Sequence, residues 1–167
     1  MLRGWGWQLE GTVPNRHKMI FAVAPHSTNL DFILTISVIM ALGLKASFLA
    51  KQSLFRFPLN LLVAGFGGIP VDRNAAAGVV GDMTIHFDRA DKLILGIAPE
   101  GTRANVSHWR SGFAQIAQAA NVPVLPAIIN YDKKIVTFKA LIEDVTDSEA
   151  TLIAMQAAAA SGAGRPA

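Results

Sequence analysis

The run Pro25-His26-Ser27-Thr28-Asn29-Leu30-Asp31 puts a histidine and an aspartate five residues apart, between a short apolar stretch and a longer one. A neutral imidazole held by a carboxylate can take a proton from a hydroxyl group near neutral pH, so the pair is a candidate general base with its orienting acid. On one regular helix, a separation of five residues is about 140° round the axis, and the two side chains would not share a face. The spacing works if His26 lies in a loop and Asp31 in the first turn of the helix that follows. The carboxylate then fixes the tautomer of the ring and leaves the second nitrogen to act as base. The plainer alternative is a loop histidine beside an aspartate that favours a helix N-terminus.

Two further clusters carry chemistry. Asp72-Arg73-Asn74 and Glu100-Gly101-Thr102-Arg103 each follow an apolar strand-like segment. An arginine in such a place can hold a phosphate through two parallel hydrogen bonds, and Gly101 lets backbone N–H groups approach an anion. Taken singly, each arginine reads more readily as a surface residue with a local carboxylate partner than as a binding residue; two of them at strand ends beside a strand-end histidine favour binding. Ser27, Thr28 and Ser111 lie outside any Gly-x-Ser-x-Gly elbow and read as helix caps. His86 and His108 share no metal-ligand spacing with a carboxylate, and no metal site is expected. Asn29, Lys51 and Trp109 are further candidates for the site, with Trp109-Arg110 read as opening a helix.

These clusters must be positioned by the elements between them. Residues 18–24 read as a buried strand, 30–42 as a buried helix and 45–50 as a second strand. Residues 54–66 are apolar but interrupted by Pro58, which predicts a helix starting near the proline or two short ones. A short strand at 69–71, a helix at 75–89, a strand at 92–98 and a helix at 107–120 follow. Strands at 122–130 and 133–138 and a helix at 148–160 complete the pattern. Apolar strands alternating with helices predict an α/β fold, a layered domain over residues 1–160 with a mainly parallel or mixed sheet flanked by helices. Residues 161–167 are expected to form a flexible tail. Loops at the carboxyl ends of such strands carry ligands.

Composition narrows the partners. Of 167 residues, 51% are apolar and 16% charged, with a net charge of +3 and a mean hydropathy of +0.37. A typical soluble domain is about 25% charged. The excess of apolar residues fits either a protein that touches a membrane or lipid, or an α/β core with buried helices. The longest apolar stretch, residues 32–44, covers about 13 residues, whereas a membrane span takes about 20. The first residues lack a continuous apolar segment, so a signal peptide is not expected. The charge is too small and too scattered to argue for nucleic acid. With no cysteine, disulfides, thiolate metal sites and a cysteine nucleophile are excluded.

Together the clusters resemble the glycerolipid acyltransferase family, which includes the 1-acyl-sn-glycerol-3-phosphate acyltransferases. Residues 26–31 resemble its H-x-x-x-x-D block and Gly68-Ile69-Pro70-Val71-Asp72-Arg73 its second block. Pro99-Glu100-Gly101-Thr102-Arg103 is similar to the third and Val122-Pro123-Val124-Leu125-Pro126-Ala127 to the fourth. The blocks occur in order over about residues 4–138. Pro25 stands where many members have a polar residue, and Ala98 where many have phenylalanine. The resemblance implies a glycerol-3-phosphate acyltransferase-like fold and acyl transfer from acyl-CoA or acyl-carrier protein, with no cofactor. The implied acceptor is a hydroxyl of a lysophospholipid or glycerol phosphate, with lysophosphatidate the leading expectation. His26 would be the base, Asp31 its partner, and Arg73, Glu100, Gly101, Thr102 and Arg103 the acceptor-binding set. A different lyso-lipid or amino-lipid acceptor, or a non-catalytic lipid-binding module, is the alternative. The many members with N-terminal membrane helices contrast with this chain, which leads us to expect peripheral attachment to the cytoplasmic membrane face. Residues 54–66 would provide it, with Lys51 and Arg56 toward the head groups.

Overall fold

A computed structural model describes residues 6–25, 29–71, 76–100 and 109–162. Among these described residues there are seven strands, β1 (Gln8–Glu10), β2 (Lys18–Ala24), β3 (Ala46–Lys51), β4 (Gly68–Val71), β5 (Leu93–Ile97), β6 (Val124–Asn130) and β7 (Ile135–Phe138). The described α-helices are α1 (Asn29–Ala41), α2 (Leu59–Gly65), α3 (Ala76–Arg89), α4 (Gly112–Ala120) and α5 (Ser148–Ala160), and a 3-10 turn spans Gln52–Phe55. All strands join one sheet in the order β1-β7-β6-β2-β5-β3-β4. From β6 to β4 the neighbours are parallel. β7 runs antiparallel to β6, and β1 runs parallel to β7. The expected mixed, mainly parallel α/β sheet is present.

The central strand explains the arrangement. In β2 every residue from Met19 to Ala24 is buried, as a strand covered on both faces requires. Its alternate side chains feed two separate cores. Met19, Phe21 and Val23 pack with Leu34 and Val38 of α1 and with Leu125, Ala127 and Phe138. Ile20, Ala22 and Ala24 pack on the opposite face with Met83 and Phe87 of α3, Phe113 and Ile116 of α4, and Met155 of α5. The period of two in β2 thus divides the molecule into an α1 face and an α3–α4–α5 face.

Helix ends follow local chemistry. The α5 start is capped by Asp147, whose carboxylate accepts from the N–H groups of Glu149 at 2.8 Å and Ala150 at 3.4 Å. α4 stops at Asn121, which takes the left-handed conformation at φ 51°, ahead of Pro123. The expected helix over 107–120 is shorter where it is described: it begins at Gly112, with residues 109–110 outside any helix. The physical reason is that Trp109 packs against the α3–α4–α5 core while the Arg110 N–H donates to Pro99 O at 2.9 Å. Trp109-Arg110 therefore precedes a helix rather than opening one. Ser111 holds the N-cap position but makes no capping bond with its side chain; its hydroxyl instead accepts from Gln115 Nε2 at 3.2 Å.

Candidate functional site

Because β2, β3, β4 and β5 are mutually parallel in the sheet, their carboxyl ends lie along one edge. β2 leads through Pro25 to His26, β4 ends at Val71 just before Asp72-Arg73, and β5 leads through Ala98-Pro99 to Glu100. The strand ends that precede the three polar clusters of the sequence thus lie on the same side of the molecule. β2 and β5 are direct neighbours, with Ala22 opposite Ile97. From β2 to β4 is three strand spacings, or about 14 Å across the edge.

The connections at β2 and β5 run in opposite directions. After β2, α1 carries the chain past β5 to β3; after β5, α4 carries it past β2 to β6. Correspondingly α1 and α4 cover opposite faces. Adjacent parallel strands whose crossovers diverge leave a crevice beyond their carboxyl ends, the place where open α/β sheets bind ligands. Here that switch point falls between β2, which precedes His26, and β5, which precedes Glu100.

His26, Ser27, Thr28, Arg73, Gly101, Thr102 and Arg103 lie outside the described residues. Asn29 is the first residue of α1, so Asp31 belongs to its first turn, in keeping with the backbone placement its spacing predicts. Glu100 is half-buried and follows the buried Pro99. Lys51, the last residue of β3, is exposed and pairs in register with Val71 at the end of β4. Trp109 is half-buried against the core. The Arg110 N–H to Pro99 O bond brings residue 110 back to the end of β5. Sequence reasoning does not find that closure, because a backbone bond carries no side-chain signal. Among the described residues no group of histidine, aspartate or glutamate has the arrangement of a metal site.

The α1 face adds an apolar element. A narrow crevice between α1 and the sheet is lined by Phe21, Val23, Leu34, Val38, Ala127 and Phe138. Among the described residues no helix is long and apolar enough to cross a membrane.

The fold is similar to that of the 1-acyl-sn-glycerophosphate (LPA) acyltransferase PlsC from Thermotoga maritima. The TM-score is 0.65 at 19% sequence identity, over 92% of this chain and 69% of that one. No curated protein sequence matches the chain. A family model described as Acyltransferase matches residues 8–130, which takes in all the described strands except β7 and the three polar clusters of the sequence. The chain belongs to the Acyltransferase family.

Proposed function

We propose that the protein transfers a fatty acyl group from a thioester donor, acyl-CoA or acyl-carrier protein, to a hydroxyl of a lysophosphatidate-type acceptor. The observation that carries the reading is the parallel run of β2, β5, β3 and β4, whose carboxyl ends lead into the histidine, arginine and glutamate clusters along one edge. A base, a phosphate-binding set and a crevice at a point of diverging crossovers are what an alcohol-to-thioester transfer requires. Family membership supports the reaction class, and the fold shared with PlsC is in keeping with a phosphorylated glycerolipid acceptor.

In this mechanism His26 takes the proton of the acceptor hydroxyl as its oxygen attacks the thioester carbonyl, and Asp31 steadies the imidazolium. The tetrahedral intermediate collapses, the carbon–sulfur bond breaks, and the imidazolium returns its proton to the departing thiolate. Arg73 and Arg103 hold the acceptor phosphate, with Glu100, Gly101 and Thr102 shaping the same turn. Orientation of the two substrates then supplies part of the barrier reduction.

The test is incubation with acyl-CoA or acyl-carrier protein and a panel of acceptors, with products identified by mass. Lysophosphatidate, glycerol 3-phosphate and lyso-amino-lipids form the panel. The expected product is the diacyl phosphate, with Arg103→Ala raising the KM for the acceptor and leaving that for the donor unchanged. Thioester cleavage that ignores the acceptor, or transfer only to an unphosphorylated acceptor, would contradict the assignment.

A further inference from the structure

Among the described residues, one buried side-chain polar atom has no hydrogen-bond partner, Asn60 Oδ1. A buried acceptor left unpaired is destabilising, because it gives up its bonds to water and gains none in return. Buried polar atoms are almost always satisfied, so this one calls for a specific cause. The local backbone does not supply it: the Asn60 N–H donates to Arg56 O at 3.1 Å, while the side-chain carbonyl beside it stays unpaired.

The fold turns this residue toward the sheet. In α2 only Asn60 and Val63 are half-buried, and the other residues are exposed. Residues three apart on a helix share a face. Val63 uses that face to pack over β4, where a Cβ placed on Gly68 would lie 2.5 Å from Val63 Cγ1. Asn60 therefore sits one turn earlier on the same face, in the connection that leaves the carboxyl end of β3 at Lys51 and returns to the start of β4. Across the sheet Gly68 is in register with Phe48, Phe48 with Gly96 and Gly96 with Phe21. Partners in register share a face of the pleat. Leu34 and Val38 of α1 cover the Phe21 end of this row and α2 covers the Gly68 end. Between them the sheet is open at Gly96: among the described residues a Cβ there would meet only Ser47 O, at 3.6 Å, and Gly96 and Phe48 are themselves only half-buried.

We infer that Asn60 binds the phosphopantetheine arm of the acyl donor, its Oδ1 accepting a hydrogen bond from an amide N–H of the arm. The inference rests on the acyl-transfer reading and deepens it by naming a donor-binding residue. The chemistry of the substrates selects the arm. A fatty acyl chain has no hydrogen-bond donor and would leave the carbonyl unpaired. A lysophosphatidate-type acceptor has one free glycerol hydroxyl, and that hydroxyl gives its proton to His26. The pantetheine arm carries two amide N–H groups, and it is common to acyl-CoA and acyl-carrier protein. It is also narrow and extended, which suits a strip of sheet floored by Gly96 between α1 and α2. Asn60 touches no reacting atom in this assignment, so its contribution falls on donor binding rather than on the chemical step. The unpaired carbonyl is then a stability cost that the bound arm relieves.

The experiment compares wild type with Asn60→Leu and with the smaller Asn60→Ala, which cannot overfill the position. Calorimetry measures binding of CoA and of holo-acyl-carrier protein, steady-state transfer gives KM for donor and acceptor, and melting temperatures are taken alongside. Both variants should bind the carrier about three- to tenfold more weakly and raise the donor KM by the same factor, the loss of one hydrogen bond. The acceptor KM should not move. With a methyl thioglycolate ester of the same fatty acid, which has no N–H, the donor KM of variants and wild type should agree. Asn60→Leu should melt no lower than wild type, because it removes an unpaired acceptor from a buried place. A response to CoA alone, or to the carrier protein alone, upholds the contact and names the carrier. Folded variants with wild-type donor constants would overturn the inference and leave the proposed function standing. So would a donor KM that rises equally on the thioglycolate ester, a rise confined to the acceptor KM, or a wild type that binds neither carrier. Weaker carrier binding by variants of a protein that transfers no acyl group would uphold the contact and overturn the proposed function.

Discussion

Replacing Gly68 with alanine should destabilise the protein by about 2–3 kcal/mol, the upper part of the range for adding a methyl group to a filled site. The new Cβ would stand 2.5 Å from Val63 Cγ1 and 2.7 Å from Val63 O. The first contact can be relieved by a rotamer change; the second is with backbone, so α2 or β4 must move. For a chain of this length each kcal/mol shifts the melting temperature by about 2–4 °C, so thermal unfolding should fall by about 4–12 °C. A double-mutant cycle locates the strain. Val63→Ala removes the Cγ1 contact and leaves the carbonyl, so it should recover part of the loss, with a coupling of about 0.5–1 kcal/mol. Gly65→Ala is the control, because a Cβ there meets nothing within 4 Å, and it should stay within about 0.5 kcal/mol of wild type. β4 runs straight into Asp72-Arg73, so Gly68→Ala should also raise the acceptor KM. A Gly68→Ala protein as stable as the Gly65→Ala control, or a cycle with no coupling, would refute the close-approach argument.

Three smaller perturbations test other parts of the fold. Gly81 lies inside α3 with open space where its Cβ would be, so Gly81→Ala should stabilise by about 0.5–1 kcal/mol, measurable as a higher urea midpoint at unchanged m. Asp147→Ala removes the acceptor for the N–H groups of Glu149 and Ala150 and should lower stability by about 1 kcal/mol. The Asp144 carboxyl accepts from Thr146 Oγ1 at 2.6 Å and Thr146 N at 3.1 Å, and these bonds hold its pKa below the ordinary value of 3.8. A depressed folded pKa means stability that is present above the unfolded pKa and lost as pH falls through the folded one. The melting temperature of Asp144→Asn should therefore lie below that of wild type near neutral pH, with the gap closing under acid conditions. A gap that widened in acid would reverse the sign of the argument.

Much of this architecture is legible in the chain because its apolar segments are short and sharply punctuated. Residues 18–24 form β2 and 148–160 form α5, at the expected bounds. Pro58 divides residues 54–66 into a 3-10 turn and α2, one of the two arrangements it allows. β1 escapes sequence reading: Gln8-Leu9-Glu10 has no apolar run, and its strand character comes from pairing with β7, over a hundred residues away. The start of α4 is misplaced for a similar reason, since the core contact of Trp109 and the bond from Arg110 to Pro99 are tertiary. The order of strands is likewise a long-range property, and it is the order that puts β2 beside β5. The apolar character of residues 54–66 is plain in the sequence, but a buried helix and an exposed face have the same composition. Only the structure shows that the leucines of α2 point outward. For the candidate site, the residue types and the strand ends they follow are readable from sequence; the shared edge required the parallel pairing of β2, β5, β3 and β4.

The central claim is that His26 is the base that deprotonates the acceptor hydroxyl. The direct measurement is steady-state acyl transfer to lysophosphatidate by wild type and His26→Ala at neutral pH, alongside their melting temperatures. The mutant should lose at least about 100-fold in kcat while unfolding at the wild-type temperature. Turnover within a few-fold of wild type by a folded His26→Ala protein would contradict the account.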